Sequence, residues 1–394
     1  MKYRGVGIIK NIFYVLFMFF VLICFPMQLS AKVTGSCVNC HTMHNSQGNS
    51  AVLRSGAGVG WGADNKIGGG SPEGTPAQNL LVAGCVGCHS STTGKTIIEA
   101  GSSTVPIVYN VSGPTEQYLA GGNFYWVAQG DNSKGHNVYG LAGQDTLTTA
   151  PGKTPAGCAN SCHETLAAAP SSANSDRGGC QGCHVFTYHH EDNGVYRFLK
   201  GHGEGAALPI NPANKNISSY TDYVKGVEDN DWEQETANDH NWYKGSGMAY
   251  YSDGSGLTYL NTISSFCSGC HSVFHGPYNS LTKRGMGGGA EGAEAYPGSP
   301  WRRHPTDIKL PDTGEYGNYD PDIPSQYSAL APVAWTDPSS PSRSGAVVMC
   351  LSCHRAHGSP YSDLLRWDYL NNCNAGTNNS NCGCFTCHTE KDGL

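Results

Sequence analysis

Six times along this 394-residue chain two cysteines stand three positions apart with a histidine directly after the second. The strings are Cys37-Val-Asn-Cys40-His41, Cys85-Val-Gly-Cys88-His89, Cys180-Gln-Gly-Cys183-His184, Cys267-Ser-Gly-Cys270-His271, Cys350-Leu-Ser-Cys353-His354 and Cys384-Phe-Thr-Cys387-His388. A seventh string, Cys158-Ala-Asn-Ser-Cys162-His163, widens the gap by one residue. Their intervals are irregular, which excludes a solenoid built on one fixed repeat.

The spacing has a chemical reason. Two thiols separated by two residues can each form a thioether to one of the two vinyl groups on a porphyrin edge, and the histidine that follows then sits beneath the iron. Structural zinc sites also use paired cysteines, but not with a histidine directly after every pair, and a thioredoxin-like redox pair does not recur seven times. The pattern therefore predicts seven covalently attached haem c groups, with His41, His89, His163, His184, His271, His354 and His388 as proximal ligands. At Cys158 and Cys162 a wider loop would accommodate the extra residue, the competing reading being an ordinary disulfide.

Of the 17 cysteines, these sites leave Cys24, Cys373 and Cys382. Cys24 lies in an apolar leader, where the bulky Ile23 before it speaks against a lipidation box. Cys373 and Cys382 flank the turn-forming stretch NAGTNNSN, and a disulfide closing it is the simple reading. Cys382 could instead compete with Cys384 for the last haem through a wider spacing.

Seven of the 16 histidines being proximal, nine remain for the sixth coordination positions. The set chosen is His44, His136, His190, His202, His240, His304 and His357, with His189 and His275 in reserve. Only Met43, Met248, Met286 and Met349 remain beyond the leader, none in a recognisable ligand box. Two imidazoles on every iron give low-potential sites with no position open for a substrate, so the expected role is electron transfer.

His44 follows His41 by three residues, and His357 follows His354 likewise. In a helical turn such a pair lies on one side and cannot reach opposite faces of one iron. His44 and His357 therefore serve a different haem from their neighbours, or none.

The first thirty-one residues read as a secretory signal: Lys2, Arg4 and Lys10, then an uncharged run from Ile12 to Met27, then small residues to Ala31. An uncleaved anchor is the alternative. Loss of those three cations and no anions takes the formal charge from −7 to −10, against nucleic-acid binding. Stretches such as GVGWGADNKIGGGSPEG, in a chain with 52 glycines and 14% charged residues, lack helical or strand periodicity. The expected fold is mostly coil, with short helices bearing the CXXCH histidines and a few short strands near STVPIVYNVSG, wrapped around a stacked chain of haems. Residues 32–394 form a single cytochrome domain on this reading. Aromatics at Tyr188 and between Trp232 and Trp242 pack on haem faces or fill ordinary core.

CHTMHNS at Cys40 to Ser46, KGHNV at Lys134 to Val138, TLTTAPG at Thr146 to Gly152, RHP at Arg303 to Pro305 and CLSCHRAHGSPY at Cys350 to Tyr361 run in one order along the chain. In these motifs it resembles the outer-surface multihaem c-type cytochromes that polymerise into extracellular nanowires. His163, His184, His189, His190 and His202 with their cysteines look like the paired-haem module shared by several such filaments. The resemblance implies that His44 supplies the distal ligand to a haem of the adjacent subunit in a homopolymer. It implies, as partners, envelope electron-transfer proteins and extracellular electron acceptors. Seven sites depart from the hexahaem and tetrahaem members.

Two other functions fit the same residues: a monomeric electron carrier, periplasmic or docked at the outer membrane, and a multihaem reductase. A reductase needs one iron with an open position, often marked by a proximal lysine, and no CXXCK string occurs.

Overall fold

The computed structural model describes residues 46–47, 50–51, 54–55, 60–62, 71–72, 85–101, 103–116, 118–147, 150–151, 166–171, 178–184, 189, 195–200, 223–229, 232, 241–245, 262–271, 304 and 306–391. The leader with Cys24 and the first site from Cys37 to His44 lie outside the described residues, as do Cys158, Cys162 and His163.

Regular structure is scarce and short. The longest described helix is Ile263–His271, nine residues, and the longest strand is Val195–Lys200, six residues. Among the described residues no helix is long and apolar enough to cross a membrane.

The expected strands near residue 105 are present. Ile97–Ala100 and Ser103–Pro106 form an antiparallel hairpin whose turn passes through Gly101 at φ +69°, a left-handed conformation that glycine adopts without a Cβ clash. Ser90–Ser91 pairs in parallel with Tyr109–Asn110. Two three-stranded sheets escaped the sequence reading: Val195–Lys200, Tyr223–Val227 and Trp242–Tyr243, and Ile308–Lys309, Ala346–Val348 and Ala334–Trp335. Their strands are too short to show a period of two in the sequence.

Ala346–Val348 is nonetheless the wall around which the C-terminal half packs. Successive strand residues point to opposite faces, so Val347 enters a cluster with Val224, Tyr243, Ile263, Phe266 and Met349. Ala346 and Val348 enter another with Leu310, Tyr319, Val333 and Trp335. Burying a side chain such as Val347 contributes about 1.5–3 kcal/mol. Trp242 lies 6.0 Å from Trp335 between ring centroids, which assigns it to this core.

Two smaller clusters gather around Trp61 with Ile98, Ala100 and Ile107, and around Phe124 with Val127 and Val138. Cysteines of the CXXCH strings line three of the four: Cys183 and Cys267, then Cys387, then Cys180. The apolar interior described is divided into small packets, three of them lined by an attachment site.

Buried polar groups tie the coil together. Asn123 Nδ2 donates to Asn110 Oδ1 at 2.6 Å, and Asn110 Nδ2 donates to the carbonyls of Thr93 and Lys95 at 2.7 Å. Both asparagines are fully buried. Cys373 and Cys382 form a disulfide, with Cα atoms 5.1 Å apart, across the loop that follows helix Tyr369–Asn372.

Candidate haem-binding sites

Five of the six CXXCH strings are described, and each folds as one tight turn. Cys85–His89 is helical, Cys267 to His271 ends helix Ile263–His271, and Gly383–Cys387 carries the last site. At the Cys180 and Cys350 sites the turn is a 3₁₀ helix. In three sites the same bond closes it: the histidine N–H donates to the carbonyl of the first cysteine, at 2.8 Å for His184, 3.1 Å for His354 and 2.9 Å for His388. Four-residue closure of this kind brings both thiols and the imidazole to one side of a turn.

The sites meet one another through their thiols. Cys85 and Cys180 share a hydrogen bond, which draws the Cys85 thiol down to about 7 against the opposing effect of burial. Cys267 and Cys350 share another, which lowers Cys350 and raises Cys267. Cys183 lies within electrostatic range of Cys267, and Cys353 within range of Cys384 and Cys387. The five described sites thus follow one another in space in their order along the chain. Burial pushes Cys183 up to about 11, and Cys353 and Cys387 up to about 12, keeping these thiols protonated.

Among the described residues, eight imidazoles fall into four pairs at nearly one distance. Ring centroids are 6.2 Å apart for His89 and His189, 6.0 Å for His136 and His271, and 6.1 Å for both His184 with His357 and His304 with His388. A nitrogen–metal bond of about 2.0 Å on each side, plus about 1.1 Å from nitrogen to ring centre, puts two imidazoles on one metal about 6.2 Å apart. Direct stacking would bring them closer, as with Phe124 and His357 at 4.8 Å. Each pair joins one histidine of a CXXCH string to one outside it.

Backbone carbonyls hold four of the rings through Nδ1. His89 Nδ1 donates to the Pro106 carbonyl at 2.8 Å, His271 Nδ1 to Pro151 at 3.0 Å and His354 Nδ1 to Asp363 at 2.7 Å. His136 Nδ1 donates to the Ala356 carbonyl. A carbonyl only accepts, so each bond fixes the proton on Nδ1 and leaves the Nε2 lone pair for a metal. Asp363 and Leu364, both at φ +59°, are non-glycine residues held in the left-handed region at the turn that presents this carbonyl to His354.

His357 sits in a cradle of its own. Phe124 stacks on one side, and a Cβ added at Gly121 would come within 2.8 Å of His357 Nδ1. Burial, then repulsion from His184 and His136, pulls the ring down to about 3, so it is neutral and able to ligate. Burial lowers His89 likewise. Thiols beside imidazole pairs are the donor set that haem c requires.

Of the distal set, the structure places His136, His304 and His357 opposite CXXCH histidines, and His189, held in reserve, opposite His89. His44, His190, His202, His240 and His275 lie outside the described residues, as does Met43. Met349 is buried in the core beside Val347. Sequence reasoning missed Glu315, whose Oε1 lies 3.2 Å from His388 Nδ1. It also missed the carbonyls that hold the other rings. Backbone acceptors leave no sequence signal, and Glu315 lies far from His388 along the chain.

A turn that presents two thiols and an imidazole, repeated and matched with a second imidazole, is the arrangement by which c-type cytochromes hold haem. Residues 340–393 match the family model of the doubled CXXCH motif, a span that holds the Cys350 and Cys384 sites. The chain is similar to the solved outer membrane cytochrome S filament from Geobacter sulfurreducens, at 20% identity over 89% of this chain and 87% of that one, with a TM-score of 0.43. It is similar also to the OmcS nanowires from Geobacter sulfurreducens seen by cryo-electron microscopy, at 18% identity over 89% and 88%, with a TM-score of 0.39. No curated protein matches the chain.

Proposed function

We propose that this chain is a secreted seven-haem, bis-histidine cytochrome that carries electrons outside the cell and polymerises into a conductive filament. The observation that carries the reading is the set of four imidazole pairs at 6.0–6.2 Å, each with one CXXCH member. Haem bound there supplies reversible one-electron exchange at iron.

The residues' part is to anchor and to enclose. Cysteines 37 and 40, 85 and 88, 158 and 162, 180 and 183, 267 and 270, 350 and 353, and 384 and 387 form the thioethers. Two imidazoles would hold each iron, which would leave no place for a substrate and make the role electron transfer rather than catalysis. Thiols of successive described sites lie within hydrogen-bond or electrostatic range of one another, which supports electron passage from site to site.

Three proximal rings, His41, His163 and His354, then draw their partners from His44, His190, His202 and His240, with His275 in reserve. His44 is the one assigned to the adjacent subunit, on the three-residue spacing in CHTMH and the resemblance it carries. Residues 1–31 direct secretion and 32–394 form the cytochrome domain. Its neighbours are further copies, envelope electron-transfer proteins and extracellular acceptors.

Electron microscopy of the protein sheared from cells tests this. Wild type should appear as filaments and His44→Ala as haem-loaded single subunits; filaments from both would sink the inter-subunit ligand, and single subunits from both would leave the monomeric carrier.

A further inference from the structure

The last CXXCH site differs from its neighbours in what holds its imidazole. Three other proximal rings, His89, His271 and His354, donate Nδ1–H to neutral backbone carbonyls. His388 Nδ1 instead faces the Glu315 carboxylate, 3.2 Å away.

That carboxylate is held in place. It belongs to the 3₁₀ turn Gly314–Asn318, whose Tyr316 carbonyl accepts from Arg343 Nη2 at 3.0 Å. The Thr389 hydroxyl donates to the Glu315 main-chain carbonyl, which fastens the turn to the residue after His388. The Glu315 side chain is 13% exposed, so water screens it little. Lys391 Nζ pairs with its other oxygen at 3.3 Å, from a side chain 58% exposed.

A carboxylate is a stronger acceptor than a carbonyl. It draws on the Nδ1 proton, makes Nε2 more electron-rich and so favours the oxidised, more positive iron over the reduced one. We infer that Glu315 is a positioning and tuning residue for His388, which makes the Cys384–His388 haem more reducing than those of His89, His271 and His354. The inference rests on the reading of His388 as a proximal haem ligand. Lys391, competing for the same carboxylate, limits the effect.

The test is a spectroelectrochemical titration of the haem-loaded protein as wild type, Glu315→Gln and Lys391→Met, with mass analysis of the peptide that carries Cys384 and Cys387. With haem on that peptide, Glu315→Gln should move one reduction wave to more positive potential by about tenfold in its equilibrium constant, about 59 mV for one electron. Lys391→Met should move the same wave the other way. The low-spin electron paramagnetic resonance signal of that haem should shift its g-values in Glu315→Gln. Haem present on the peptide with no wave displaced, or both variants displacing it in one direction, overturns the tuning role alone. A peptide without haem overturns the reading of His388 and the inference with it.

Discussion

The His357 ring lies 6.1 Å from His184, a histidine of a different CXXCH string, while His354 three residues before it turns its Nδ1 to the Asp363 carbonyl. One short segment, His354 to His357, therefore serves two sites. The segment is coil and bend rather than the helical turn expected from the spacing, with His354 bridged to Leu365, yet its two rings still have different partners, so the spacing becomes a tie between neighbouring sites. Loss of either member should affect one haem and leave the others.

Replacing His357 by alanine should convert one haem from low-spin to high-spin without lowering the number attached, because the thioethers of its site belong to Cys180 and Cys183. Loss of a buried ring stacked on Phe124 should also cost about 1–3 kcal/mol. Optical and paramagnetic resonance spectra with added imidazole check this: imidazole should restore the low-spin signal.

Gly121→Ala should weaken the same pair from the opposite side. Its Cβ would stand 2.8 Å from His357 Nδ1 and 2.9 Å from Cε1, so the ring must move. A partial low-spin loss at one haem is expected, smaller than for His357→Ala. A fully wild-type spectrum would contradict the described cradle.

The disulfide between Cys373 and Cys382 should have two separable effects. Closing a loop of this length contributes about 2–3 kcal/mol, measurable as a lower unfolding midpoint in Cys373→Ser. The three sulfurs of Cys373, Cys382 and Cys384 lie within 4.8 Å of one another, so freeing Cys382 brings a rival thiol to the last site. Peptide mass spectrometry of Cys373→Ser should find a fraction of haem joined to Cys382 instead of Cys384. Cys382→Ser should show none.

Asn123→Ala removes the donor to Asn110 and the acceptor for the Tyr125 N–H at 3.0 Å. Leaving buried partners unmet costs about 1–3 kcal/mol per group. Denaturant unfolding should show this loss with haem content unchanged.

Acid should destabilise the fold through its buried imidazoles. His357 goes from an ordinary 6.5 to about 3 on folding, so the unfolded chain binds its proton first as pH falls. The contribution is complete above pH 6.5, declines between 6.5 and 3 and levels off below. Unfolding midpoints measured across that range should fall with pH, and less steeply in His357→Phe.

The attachment sites were legible because their chemistry is local: two thiols and an imidazole within one turn. The short helices at Cys85 and Cys267, the hairpin near Ser103 and the pairing of Cys373 with Cys382 follow from neighbouring residues in the same way. Distal ligation was legible only as a supply of histidines. Nothing local distinguishes His189 from His190; a long-range contact with His89 places the former. Ala346–Val348 was invisible for a related reason, since three residues carry no period and their burial depends on strands far away in the chain. Trp242 reads equally as haem contact or core until Trp335 is beside it.

Density for the haem-loaded protein, at a resolution that separates ring atoms, tests the central claim most directly at His184 and His357. The account predicts one iron between their Nε2 atoms, with thioethers from Cys180 and Cys183 on the same porphyrin. An iron on His184 with a different sixth ligand, or with an open position, would contradict it.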